Sequence, residues 1–325
     1  MQIYLINLII PLLMFFLAAL INLLPYLIFR KFIFCLITSF SILITLNFLS
    51  FFFLPHSLII LTFGYLITVV VLGLIISRQK ISTQINLKKV KTWILSIITL
   101  TTLIICGTDK RIFEGLYEGH DILHYAKLAK NITHKNDLFF KYRDNSYDFE
   151  IKADKHPPLF TTIIGTDFIF AKEPSLISDF RFSKMTILIS LTLLSLAFPS
   201  LLLNNSRIGN RILYAAALVF SFPIFKLFVD FHIDAVRLLY LVSTAYLLNE
   251  LSEGSENQKL LFGLLIWFLT LGALIHSIGL IWGFFCLGIY HIINKNRFFS
   301  YKYASFFVIL TFPWYVLEYL FKGKL

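Results

Sequence analysis

The sequence predicts an all-α polytopic membrane protein with about ten transmembrane helices and one large external loop. Three observations predict it. Of 325 residues, 58% are apolar and 14% charged, and the mean hydropathy is +0.80; a soluble domain of this size would carry about a quarter charged residues. That excess of apolar side chains cannot fit inside one globular core, so much of it must face lipid. Apolar runs near the ~20 residues needed to cross a ~30 Å hydrocarbon layer recur along the chain. Between them, residues 108–183 gather most of the informative polarity.

The runs fall at residues 3–29, 32–54, 57–77, 92–107, 184–203, 212–230, 234–250, 259–276, 278–293 and 303–321. The first is too long for a signal peptide and has neither a basic start nor a small-residue cleavage site. Basic residues then fix the orientation. Arg30 and Lys31 follow the first run; Arg78, Lys80, Lys88, Lys89 and Lys91 follow the third; Arg207 and Arg211 follow the fifth. Lys259 opens the eighth, and Lys295, Arg297 and Lys302 separate the last two. Placing all of these in the cytoplasm leaves every other connector, and both termini, outside.

A net charge of +11 raises nucleic acid as a partner, but these cations sit in short connectors rather than in a continuous basic stripe, which argues against it. Cys35, Cys106 and Cys286 are an odd scatter within or beside apolar runs and form no disulfide framework.

The orientation holds only if residues 159–171 do not cross. That piece is short, carries Asp167 and begins at Pro157-Pro158, a pair suited to starting a helix. It reads as a helix lying at, or dipping into, the external interface; a tilted span is the alternative and would invert every later connector. Residues 1–91 then read as an N-terminal scaffold or extension, and residues 92–325 as the functional body, including the external loop 108–183. Loops of this length are uncommon unless functional or disordered, and its aromatics and helical stretches point to order.

Within the loop, residues 118–131 read as a helix that places Asp121, Tyr125 and Ala129 on one face. Asp121 lies in the first turn, where the helix dipole favours its ionised form. Such a carboxylate just above a membrane can serve as a general base on a hydroxyl or hold a divalent cation. It can equally be a helix cap with a Tyr packed behind it. His120 and His124 have zinc-like spacing, but position 121 is Asp and no third ligand is fixed by spacing. We therefore assign no metal site, and a divalent cation stays only an option.

Lys155 and His156 precede the two prolines and project from a stiffened corner suited to a phosphate; a lysine snorkelling at an interface is the plain alternative. Arg181 and Lys184 sit where the chain re-enters the bilayer, against the positive-inside trend, which suits an anionic head group. Asp230, His232, Asp234 and Arg237 cluster at the next external connector, His276 lies between runs eight and nine, and Glu318 ends the last run. All converge on the side of the large loop.

Taken in order, these segments resemble the polytopic GT-C glycosyltransferases, in particular the bacterial group of aminoarabinose, lipopolysaccharide-core and protein mannosyl transferases. Asp121…Tyr125…Ala129 resembles the acidic motif of the family's first external loop, with Ile122 in place of its common second acid. His156-Pro157-Pro158-Leu159 resembles the start of its interfacial helix, and Arg181-Phe182-Ser183 its Arg-x-x-Ser helix start. Leu274-Ile-His-Ser-Ile-Gly-Leu280 and Pro313-Trp314 resemble later motifs.

The resemblance implies an inverting sugar transfer from a polyprenyl-phosphate donor to a lipid, glycan or protein acceptor at the outer face of a bacterial inner membrane. Asp121 would deprotonate the acceptor, with Asp234, or less readily Asp230, as second acid. Lys155, His156, Arg181, Arg237, His276 and Tyr125 would bind substrate. Two other readings stand beside it. One is a lipid-linked sugar flippase or transporter. The other is a non-catalytic, truncated relative acting as an assembly partner, prompted by the short stretch after Pro313-Trp314.

Overall fold

The computed structural model describes residues 32–53, 158–171, 181–202, 234–252, 258–293 and 297–321, with the single residues 64, 67, 68, 71 and 129. Among the described residues, regular structure is entirely α-helical. The helices are α1 (Phe32–Phe53), α2 (Pro158–Ala171), α3 (Arg181–Leu202), α4 (Asp234–Ser252), α5 (Gln258–Ile275), α6 (Ser277–Ile293) and α7 (Arg297–Phe321). Six of them coincide, within a few residues, with predicted apolar runs, and α2 with the short piece at 159–171. The runs at 3–29, 92–107 and 212–230 lie outside the described residues, as does 57–77 apart from its four described positions.

Among the described residues one helix, α5, is long and apolar enough to cross a membrane. Shorter apolar stretches of α1, α2, α3 and α6 fall below that length.

The chain divides into two compact units, one of residues 1–119 and 166–235, the other of residues 120–165 and 236–325. In the first, α1 packs on α3. Both helices bury many small polar residues, Ser39, Ser41 and Asn47 on α1 and Thr186, Ser190 and Ser195 on α3 among them. A hydroxyl inside a helix can return its proton to the carbonyl one turn back, and these do: Ser41 to Ile37 at 2.8 Å, Ser190 to Thr186 at 2.8 Å, Ser195 to Leu191 at 2.7 Å. These three hydroxyls are thereby satisfied within their own helices, whereas the buried Thr38 hydroxyl of α1 has no hydrogen-bond partner among the described residues.

The second unit is built on α4 to α7. Aromatic rings fasten one end of α5, α6 and α7: Phe262 meets Tyr290 at 4.3 Å and Tyr303 at 4.4 Å between centroids. Further along, Phe284 meets Phe307 edge-on at 5.5 Å, and Gly283 lies against the Phe307 ring with no room for a Cβ. Helix α4 joins through Tyr240, which packs on Phe268 at 5.8 Å and faces Gly272. Trp282 of α6 donates its indole N–H to Thr244 of α4 at 2.8 Å. Early α5 meets late α6 and early α7, so the three helices run alternately up, down and up.

Helix α2 departs from the sequence expectation in one respect. An interfacial helix shows one face to head groups, yet residues 159–167 are buried without exception. Its 14 residues cover only ~21 Å at 1.5 Å per residue, short of a hydrocarbon layer. It is therefore a short helix enclosed by protein. Its Leu159, Ile163 and Ile164, each at 0% exposure, explain why: they gain more from packing than from an interface.

Candidate functional site

Of the residues singled out in the sequence, Asp121, Tyr125, Lys155 and His156 lie outside the described residues, with His120, His124, Asp230 and His232. Ala129, predicted third on the Asp121 face, is helical and fully buried; the rest of 118–131 lies outside the described residues. Arg181 is the first residue of α3, Asp234 the first of α4, and Arg237 stands half-buried one turn later. A carboxylate in the first turn of a helix is favoured by the dipole, so Asp234 serves the start of α4 whatever else it binds.

His276 is the single residue between α5 and α6. Its own N–H continues α5 by donating to the Gly272 carbonyl at 3.1 Å, and its carbonyl accepts from Gly279 at 2.8 Å. Its ring Nδ1 accepts the N–H of Ile278 at 3.1 Å. The imidazole thus caps α6 by satisfying a donor that has no partner in its own helix. With Nδ1 accepting, the proton of the neutral ring resides on Nε2.

Two features allow so tight a corner. A Cβ on Gly279 would lie 2.2 Å from the Gly272 carbonyl oxygen, so only glycine lets the two helices approach this closely. Tyr315 of α7 donates its hydroxyl to the Ala273 carbonyl at 2.7 Å, filling one of the acceptors that the end of α5 leaves open. Late α7 therefore stands at the His276 corner. Arg237 is at the same end: it lies one turn above Tyr240, which faces Gly272, and Gly272 lies about one turn below His276. The second unit gathers Arg237, His276 and Tyr315 at one end.

The first unit holds a group that the sequence offered only as a reason for a short apolar piece not to cross. Asp167, near the end of α2, caps the head of α3. Its carboxylate accepts the N–H of Phe182 at 2.7 Å and that of Ser183 at 3.0 Å, and also the Ser183 hydroxyl. Burial pushes its pKa up to about 7, against the opposing pull of the Ser183 hydroxyl, the two N–H groups and the nearby Lys184 ammonium. Lys184 is itself buried, at 5% exposure. It sits beside a protein carboxylate, whereas the sequence suggested an anionic head group.

The residue before Asp167 extends the same junction. Thr166 donates to the Asn47 side-chain oxygen of α1 at 2.6 Å, with both residues at 0% exposure. Helix α1 is thus hydrogen-bonded to the helix that carries the Asp167 cap. Sequence signals for this junction were slight: one Asp in an apolar piece and one Asn in an apolar run. Among the described residues no three His, Cys, Asp or Glu side chains gather as a metal site.

The chain matches no protein-family model, no curated protein and no solved structure.

Proposed function

We propose that this chain is a polytopic membrane glycosyltransferase that moves a sugar from a polyprenyl-phosphate donor to a lipid, glycan or protein acceptor at the non-cytoplasmic face. The observation that carries this reading is the gathering of Arg237, the His276 corner and Tyr315 at one end of the second unit. In the topology drawn from charge placement, that end is the external one, where the large loop with Asp121 lies. The alternating directions of α5, α6 and α7 agree with that topology. So does the broad apolar exposure of α6 and α7, where Ile281, Phe285, Ile292, Ile309 and Phe312 are each more than half exposed; surfaces of that kind suit lipid contact.

In this mechanism Asp121 takes the acceptor proton as the hydroxyl attacks the anomeric carbon, and the lipid phosphate departs with its growing charge stabilised by fixed donors. Arg181, Lys155 and His156 serve that charge. Arg237 and His276 are further substrate-binding candidates, and Asp234 is the candidate second acid, binding the sugar or assisting Asp121. Tyr125, which the sequence predicts on the helix face of Asp121, would bind substrate. A divalent cation is not required by this scheme.

A transporter would place charges or broken helices at mid-depth. The hydroxyls of Ser41, Ser190, Ser195 and Ser243 instead return to their own helical carbonyls, which supports chemistry at the rim. The test is Asp121→Asn in the full chain: glycan transfer is lost while expression and membrane insertion stay normal. Full transfer by that variant would sink the mechanism. Removal of the protein should also cause a lipid-linked sugar to accumulate, and its analysis would name the sugar.

A further inference from the structure

We infer that Asp167 is a positioning residue that fixes the head of α3, and with it Arg181, for binding the phosphate of a lipid-linked donor; this rests on the transferase reading above. Three groups of the first turn of α3 converge on one buried carboxylate: the N–H of Phe182, the N–H of Ser183 and the Ser183 hydroxyl. A helix ordinarily caps itself from the residue just before it. Here the cap comes from a different helix, 15 to 16 residues earlier.

Such a cap does more than satisfy two orphan donors. It sets the direction in which α3 begins and ties that beginning to α2. Thr166 and Asn47 hold the same turn of α2 to α1, so the cap cannot drift with a loop. Arg181 precedes the two capped amides directly. A guanidinium recognises phosphate through paired, directional N–H bonds, and small errors in its placement cost much of that recognition.

The test uses the purified full chain and decaprenyl monophosphate as probe, with binding measured by native mass spectrometry and folding followed by thermal unfolding. Arg181→Ala should weaken binding about tenfold and Asp167→Ala by several-fold, and the double variant should bind no worse than Arg181→Ala alone, because both act through one interaction. Asp167→Asn keeps one acceptor oxygen and should fall between wild type and Asp167→Ala. If Asp167→Ala does not fold, Asp167→Asn and Ser183→Ala make the same comparison against Arg181→Ala.

Loss with Arg181→Ala but wild-type binding with the Asp167 and Ser183 variants would overturn the inference and leave the transferase reading in place. Additive losses in the double variant would overturn it too, since they mark a general loss of stability. No binding by wild type, or none lost with Arg181→Ala, would overturn the phosphate-donor reading itself.

Discussion

The hydroxyl of Tyr315 donates to the carbonyl of Ala273 across 42 residues of sequence, at 2.7 Å. That bond joins the late part of α7 to the last turn of α5, beside the corner where α5 gives way to α6. A carbonyl freed at a helix end must find another donor or stay costly. Tyr315 supplies it from a neighbouring helix.

Tyr315→Phe removes this donor with little change in volume. It should lower the unfolding free energy by about 1 kcal/mol, measured in detergent by denaturant titration. If His276 binds substrate, the same variant should raise KM more than it lowers kcat, since it loosens the corner without touching a reacting atom.

Gly279→Ala should be far more damaging. Its Cβ would sit 2.2 Å from the Gly272 carbonyl oxygen, so the α5–α6 corner has to open, at a cost on the order of 3 kcal/mol. Gly288 has open space around it, and Gly288→Ala in the same helix should be neutral or stabilising by up to about 1 kcal/mol. Thermal unfolding of the pair isolates the close approach from helix propensity.

Asp167 makes stability depend on pH. Its folded pKa of about 7 lies above the ordinary 3.8, so folding favours the neutral form. The stabilising contribution is complete below about pH 4 and is lost as pH rises through about 7. Wild type should therefore unfold at a lower temperature at pH 8 than at pH 5.5, and Asp167→Asn should flatten that difference. An unchanged slope in the variant would place the titration elsewhere.

Much of the helix pattern was legible in the apolar runs because a helix that buries or greases most of its surface needs little else to mark it. The bounds of α5 and α6 follow closely from where Lys259, His276 and Asn294 interrupt those runs, whereas α3 begins three residues before its predicted run, at Arg181. The Leu274–Leu280 segment also stood out, and the structure supplies a physical reason for two of its residues. His276 caps a helix, and Gly279 admits a neighbouring backbone.

What sequence could not reveal were pairings made only by folding. Asp167 read as a reason for a short apolar piece not to cross, since its partners on α3 have no periodic relation to it. Asn47 gave no sign of meeting Thr166, 119 residues away. The enclosure of α2 was hidden for the same reason: an apolar 14-residue helix looks alike whether lipid or protein surrounds it.

The one-residue link at His276 has a consequence for biosynthesis. Two apolar helices joined by a single residue offer no hydrophilic stretch that must be hauled through the hydrocarbon layer. Under the proposed membrane topology α5 and α6 enter together as a hairpin, with the imidazole as the only polar side chain between Thr270 and Ser277 to be carried across. A longer polar insertion at residue 276 would turn that single event into two, and the yield of correctly inserted protein would report the difference.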